Sequence, residues 1–279
     1  MRFSMGCLLL ASLLPVRAGT LVQFRTRQGD LEVELFDQDK PVTVDNFLRY
    51  VKGGYYTNVF FHRCLPGFIA QGGAFIYTNR NDHALFTYYF TVPKVWGAIT
   101  NEYNVGRKIS NTYGTIAMAK VGGNPDSATS EWFFNLADNS SNLDNQNGGF
   151  TVFGRVVGNT NVLAWFNSLQ YNGGGIVNLD NGLFMNLPVS YLGNTRPFFD
   201  DLIYLDISLL QVQVKLNSDN SREISWNSIS NRLNYVEFTT QFPPAWQTLA
   251  SPTGTGNRLQ VPDTSSSATN RFYRVRVEY

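Results

Sequence analysis

Arg63, Phe68 and Gln71 crowd one short stretch, FFHRCLPGFIAQGGAF, residues 60–75. Read as two extended pieces joined at Pro66-Gly67, the stretch brings a cation, a phenyl ring and an amide together through the chain itself. The guanidinium is a fixed fork of donors, and the amide both donates and accepts. The ring is an apolar wall. Such a set grips a peptide without a nucleophile, a metal or a general base. Strand alternation puts His62 and Cys64 on one side and Phe61 and Arg63 on the other. His62 is therefore expected to be structural and to face away from Arg63. Cys64 reads as a small buried hydrophobe. Gly72-Gly73 reads as close backbone packing, because no P-loop lysine follows to make it a phosphate cradle.

The elements that must hold these residues follow from the pattern on either side. Residues 21–36, LVQFRTRQGDLEVELF, read as a hairpin turning at Gln28-Gly29-Asp30, with Leu31, Val33 and Leu35 alternating against Glu32 and Glu34. In PVTVDNFLRYVKGG, Val44, Phe47, Leu48 and Val51 lie on one helical face. Thr43 is the expected N-cap and Gly53-Gly54 the stop. Short strands are expected near 59–64, 67–72, 114–119, 130–136 and 150–157, and a second helix from about Val162 to Leu169, capped by Thr160 or Asn161. Many short strands with two helices predict a mostly β, closed barrel with the helices packed outside. Residues 74–112 and 171–200 are rich in Asn, Gly and Tyr and read as long surface loops. From 211 onward QVQVKLN, REISWNS, NYVEFTT, NRLQVPD and RFYRVRVEY alternate at close spacing. They predict a small all-β, sandwich-like module.

The start, MRFSMGCLLLASLLPVRAGT, has the layout of a secretory signal peptide: Arg2, an apolar run from Met5 to Leu14, and a small-residue site at Val16-Arg17-Ala18. The expected organisation is a signal peptide over 1–18, a first domain over 19–210 and a C-terminal β domain over 211–279, exported to the periplasm or the extracellular space. Hydrophobic residues make up 43% of the 279 and charged residues only 15%, which suits an extracytoplasmic β-rich chain. Removal of 1–18 takes Arg2 and Arg17 and no acid, leaving 20 basic against 21 acidic residues. That balance attracts neither nucleic acid nor an anionic membrane. Cys7 leaves as well, so Cys64 has no intrachain disulfide partner. Two histidines, His62 and His83, with one thiol do not make a zinc site. No metal or cofactor is expected.

Three blocks carry a resemblance. VFFHRCLPGFIAQGG resembles the signature of the cyclophilins, the peptidyl-prolyl cis–trans isomerases, F-H-R-x-x-P-G-F-x-x-Q-G-G, at Phe61, His62, Arg63, Pro66, Gly67, Phe68, Gln71, Gly72 and Gly73. YGTIAMAKVGGNPDSATSEWFFNLADN (113–139) is similar to the family's G-x-[IL]-x-M-A…S-x-Q-F-F-I segment, most closely in its bacterial form. NLDNQNGGFTVFGRVV (142–157) is similar to its L-D-G…V-F-G-x-V segment. The resemblance covers roughly residues 20–210 and leaves 211–279 unexplained.

The resemblance implies a cyclophilin-like barrel that isomerises X–Pro peptide bonds in proline-containing segments of unfolded or exported proteins. It implies that Arg63 is catalytic, that Phe68 floors the proline pocket, and that Ile69 takes a place usually held by methionine. Gln71 matches the glutamine that holds the substrate backbone, Phe133 a second pocket aromatic and Leu143 a pocket leucine. Met118 and Ala119 lie on the strand leading to the substrate-binding segment. Four positions depart from the family pattern: Glu131 for Gln, Lys120 for Asn, Asn142 for Trp or Phe, and Phe150 for His or Tyr. The expected substrate-binding set is Phe68, Ile69, Gln71, Ala119, Lys120, Glu131, Phe133, Leu143 and Phe150. Glu131 is expected either to pair with Arg63 or to compete with the substrate carbonyl. The protein is expected to be a monomer without a membrane anchor. The alternative is a binding module that grips proline segments with little turnover and attaches through its C-terminal β domain.

Overall fold

The computed structural model describes residues 19–77, 90–91, 96–157, 160–179, 184–190, 199–210, 212–228, 233–255, 257–265 and 270–277. The expected signal peptide and His83 lie outside them. In chain order the elements are β1 Leu21–Thr26, β2 Gly29–Leu35, α1 Pro41–Lys52, β3 Val59–Phe60, β4 Arg63–Leu65, β5 Ile69–Gly72, β6 Ile76–Tyr77, β7 Phe90–Thr91, β8 Thr115–Met118, β9 Trp132–Asn135, α2 Ser140–Leu143, β10 Val152–Val156, α3 Asn161–Ser168, β11 Ile176–Val177, β12 Leu187–Pro188 and β13 Tyr204–Leu209. There follow β14 Val212–Leu216, β15 Arg222–Asn227, β16 Asn234–Thr239, β17 Gln247–Ala250, β18 Arg258–Asp263 and β19 Phe272–Val277.

The large sheet runs β4-β5-β9-β8-β10-β2-β1-β13-β3-β6-β7. Its closure comes from chain continuity: β3 pairs with β13 and β4 pairs with β5, yet β3 and β4 are one stretch of chain broken only at Phe61-His62. β4, at one end of the ladder, and β3, near the other, are thus two halves of one stretch of chain, and that continuity curls the sheet into the barrel. The inward-facing residues Val22, Phe24, Leu31, Val33, Ile116, Phe134 and Phe153 fill the interior. Phe24 meets Trp132 and Phe134 edge-on at 5.0 Å each, and Phe47 of α1 joins from outside at 6.0 Å.

Helix α1 buries Val44, Phe47, Leu48 and Val51, the face read from the sequence, and ends at Gly53. Its start is not capped by Thr43. Lys40 is the N-cap residue, Pro41 opens the first turn, and no cap side chain bonds the helix. The Glu102 carboxylate does so from a distant loop, accepting from Val42 N (3.1 Å) and Thr43 N (2.7 Å). A carboxylate at a helix N-terminus satisfies orphan N–H groups and the dipole together. Helix α3 packs Val162, Leu163 and Phe166 inward, with Thr160 at its N-cap but no side-chain cap bond.

Beyond β13 the chain forms two three-stranded sheets, β14-β15-β18 and β17-β16-β19. They share a core of their own, with Ile224, Trp226 and Val236 buried and Val212, Leu249, Leu259, Val261, Tyr273 and Val275 packed around them. The five alternating runs in the sequence are five of these strands; the sixth, β17, carries little alternation and was not expected.

Candidate active site

The site begins with register. Arg63 pairs with Gln71, Gln71 with Phe133, Phe133 with Ala117, and Ala117 with Val152. These five residues form a row across β4, β5, β9, β8 and β10. The next row, Cys64, Ala70, Phe134, Ile116 and Gly154, is offset by one residue on most strands and faces the barrel core. Because the side-chain period of a strand is two, the first row must face outward. One end of it is polar and the other apolar.

At the apolar end a second cluster gathers Ile69, Ala117, Phe133, Leu143 and Val152, with Phe36, Phe68, Ile109, Ala119 and Phe150 packed against it. Phe133 and Phe150 meet edge-on at 5.7 Å. Six of the nine residues expected to bind substrate, Phe68, Ile69, Ala119, Phe133, Leu143 and Phe150, therefore belong to one apolar group beside the arginine.

Loops hold three of these residues, and a chain of asparagines ties the loops of Phe68 and Phe150 together. The Phe68 carbonyl accepts from Leu136 N and from Asn139 Nδ2, both at 2.8 Å. Asn139 Nδ2 also donates to Asn135 Oδ1 (2.8 Å), and Asn135 Nδ2 donates to Asn111 Oδ1 (3.1 Å). Asn111 Nδ2 in turn donates to the Phe150 carbonyl (3.0 Å), whose own N–H reaches the Leu143 carbonyl (2.9 Å). Fully satisfied buried amides fix geometry at little net cost. The sequence reading missed this network; its signal was Asn135, a wholly buried polar residue directly after Trp132-Phe133-Phe134.

Lys120 does not point into open groove. Its Nζ donates to the carbonyls of Asn147 (2.8 Å) and Gly149 (2.7 Å) and lies 4.7 Å from the Phe150 ring centre. Burial pushes the ammonium down to about 8, with Asp126 acting the other way. Lys120 thus braces the loop that carries Phe150.

At the polar end, Arg63 Nη1 donates to Gln71 Oε1 (3.3 Å), and Gln71 Nε2 donates to Glu131 Oε2 (2.8 Å). His62 Nε2 lies 3.5 Å from the same Glu131 oxygen. Burial pulls the half-buried guanidinium below the usual arginine range, opposed by Tyr171 and Cys64. For Glu131 burial acts upward, but the hydrogen bond and charge of His62 and the hydrogen bond from Gln71 outweigh it and leave the carboxyl below its usual range. Glu131 makes its contacts to Gln71 and His62, so the expected direct pairing with Arg63 is corrected to an indirect one through Gln71.

The expected orientation of His62 is corrected as well. Phe61 and Cys64 both lie in the barrel core: Phe61 packs 4.6 Å from Phe166, and Cys64 Sγ approaches the Phe166 carbonyl at 3.8 Å. Residues three apart share a face only if alternation slips between them. It slips because His62 N donates to Gln71 O (3.0 Å) while Arg63 is also the register partner of Gln71. Two residues oppose one, as in a β-bulge. His62 and Arg63 consequently both reach the Gln71–Glu131 side. Behind them, a Cβ on Gly72 would meet Trp132 Cη2 at 2.7 Å, and one on Gly73, at φ +86°, would meet the Ser130 carbonyl at 2.5 Å. The glycine pair lets β5 lie flat on Trp132, as its sequence suggested.

The family model for "Cyclophilin type peptidyl-prolyl cis-trans isomerase/CLD" matches residues 21–180. The chain belongs to the cyclophilin family. Its activity is peptidyl-prolyl cis–trans isomerisation. Among relatives, it is 40% identical over 141 residues to a peptidyl-prolyl cis-trans isomerase of Acinetobacter baylyi, a match covering 50% of this chain and 68% of that one. It is 38% identical over 147 residues to peptidyl-prolyl cis-trans isomerase B of Escherichia coli, covering 51% of this chain and 81% of that cyclophilin. A solved cyclophilin type isomerase of Cryptosporidium parvum, crystallised in the presence of the dipeptide Ala-Pro, aligns at 21% identity and a TM-score of 0.46, over 68% of this chain and 99% of its own.

Proposed function

We propose that this cyclophilin acts on proline-containing segments of unfolded, exported proteins, with Arg63 as its catalytic group. Phe68, Ile69, Ala119, Phe133, Leu143 and Phe150 form the proline pocket, Gln71 and Glu131 complete the substrate-binding groove, and Lys120 braces the loop that carries Phe150. The observation that carries the reading is the outward row in which Arg63 and Gln71 run directly into Phe133. The peptide C–N bond resists rotation by about 18–20 kcal/mol because of resonance. Twisting it returns the lone pair to the prolyl nitrogen, and a charged N–H aimed there stabilises the twisted state more than the planar one. An apolar pocket that grips the ring leaves only the preceding residue to swing. Lowering the barrier by ~7 kcal/mol gives roughly 10⁵-fold acceleration. A protease-coupled isomerisation assay on a short X–Pro peptide tests this directly; binding without turnover would sink it.

The export reading rests on the leader-like start and gains support from the surroundings of Gly19. Gly19 N donates to Glu34 Oε1 (3.4 Å), and Thr20 gives both its N–H and its hydroxyl to Asp37 at 2.7 Å each. Arg155 supplies a cation to Glu34 at 2.9 Å. An α-ammonium created by cleavage before Gly19 would bring a second positive charge to these two carboxylates. The intact mass of the secreted protein should start at Gly19; a mature mass retaining Met1 overturns the reading. Residues 211–279 form a separate domain in this proposal, supported by their own core.

A further inference from the structure

Glu131 can only accept hydrogen bonds when ionised, and that restriction has an effect one residue away. A glutamine side chain can present either its oxygen or its NH₂ to a neighbour. Beside a carboxylate the choice is forced: the NH₂ of Gln71 turns to Glu131 Oε2 at 2.8 Å, and the amide oxygen is left facing Arg63 Nη1 at 3.3 Å. The reverse orientation would set oxygen against oxygen on one side and donor against donor on the other. Glu131 is itself held by buried His62, whose Nε2 approaches the same oxygen at 3.5 Å. His62 in turn lies against Phe75, edge to face at 5.1 Å. We propose that Glu131 is a positioning residue: it locks the Gln71 amide with its oxygen toward Arg63, and so aims the guanidinium along the groove before substrate arrives.

A glutamine at position 131 would lack this power. It can accept from Gln71 or donate to it, so both orientations of the Gln71 amide become allowed, and in one of them Arg63 faces an NH₂. The departure from the family pattern thus exchanges a switchable amide pair for a fixed one. Preorganised donors accelerate a reaction because no reorientation is needed at the moment of reaction. The inference rests on Arg63 being the catalytic group.

Four proteins test it: the wild type, Glu131→Gln, Gln71→Ala and the double variant, assayed for kcat and KM on one X–Pro peptide. Glu131→Gln, nearly isosteric, should lower kcat about fivefold to tenfold with KM close to wild type, the scale of one misdirected hydrogen bond. In the Gln71→Ala background the same change should alter kcat by less than about twofold, because its effect passes through Gln71. A wild-type kcat in Glu131→Gln, or an equal loss in both backgrounds, overturns the proposal. Side-chain amide NMR of the wild type adds a reading that needs no variant. One Gln71 Nε2 proton should be strongly deshielded and slow to exchange with water; a pair at the shifts of a solvent-exposed glutamine overturns the lock. Arg63→Ala separates the two levels: full activity there defeats the catalytic assignment itself, whereas its loss together with an additive cycle defeats only the lock.

Discussion

Arg63 and Gln71 face each other across the β4–β5 ladder as register partners, and the guanidinium donates to the amide oxygen at 3.3 Å. The arginine is tethered on one side and half-buried, so its planar fork is held by one arm while the rest remains available.

Replacement of Arg63 by Ala should remove most isomerase activity, at least a hundredfold in kcat/KM by the scale of a lost transition-state donor, roughly 2.7 kcal/mol or more. The fold should survive, because the side chain fills no core cavity. Arg63→Lys should also fail substantially, since an ammonium cannot donate to Gln71 and to the prolyl nitrogen in the same plane. Near wild-type turnover in both, with unchanged circular dichroism, refutes the role.

Phe133 and Phe150 offer a paired test of the pocket. Phe133 is 3% exposed, whereas Phe150 is only partly buried. Phe133→Ala should cost about 3 kcal/mol of stability as well as activity. Phe150→Ala should cost clearly less stability yet still raise KM. Urea melts alongside kinetics separate the two, and a Phe150→Ala enzyme with wild-type KM removes Phe150 from the site.

A chain spanning residues 19–210 should fold and turn over X–Pro peptides at the full-length rate. All strands of the closed ladder lie within it, and the last tie, Leu210 N to Leu21 O at 2.9 Å, is retained. Aggregation of that shortened protein, or loss of its activity, shows that residues 211–279 are needed by the barrel.

Acid should attack the C-terminal sheets at Asp263. Burial acts upward on this carboxyl, but hydrogen bonds from Ser265, Tyr273 and Arg271 outweigh it and bring it down to about 2. A depressed carboxyl contributes stability that is fully present above its unfolded value near ~4 and is lost as pH falls through the folded one. The stability of these sheets should therefore decline between pH ~4 and about 2, and the decline should shrink in Asp263→Asn, which should be less stable at pH 7. Thermal melts followed by circular dichroism, on the wild type and the variant across that range, provide the check.

Much of this architecture was legible in the sequence. The apolar period of α1 and the alternation of β1 and β2 are local signals, and the three blocks resembling the cyclophilins named six residues that the structure gathers into one apolar group. What stayed hidden depends on non-local partners. Glu102 caps α1 from sixty residues away in the chain, which no local pattern announces. β13 closes the barrel although its sequence, YLDISL, gives no hint of its neighbours. The orientation of His62 depended on a bulge, and one inserted residue reverses every parity argument downstream of it.

The strand that closes the ladder also sets a schedule for synthesis. Its first half, β3, needs β13 as a partner, and its second half carries Arg63. Residues 59–65 leave the ribosome long before residues 204–209, so during most of translation β3 lacks its β13 partner while β4 can already pair with β5. The nascent sheet should then be open on the β3 side, while the Arg63–Gln71 pair, eight residues apart in the chain, can already form. If turnover needs the completed barrel, activity toward its own emerging prolines should begin only once residues 204–209 are out.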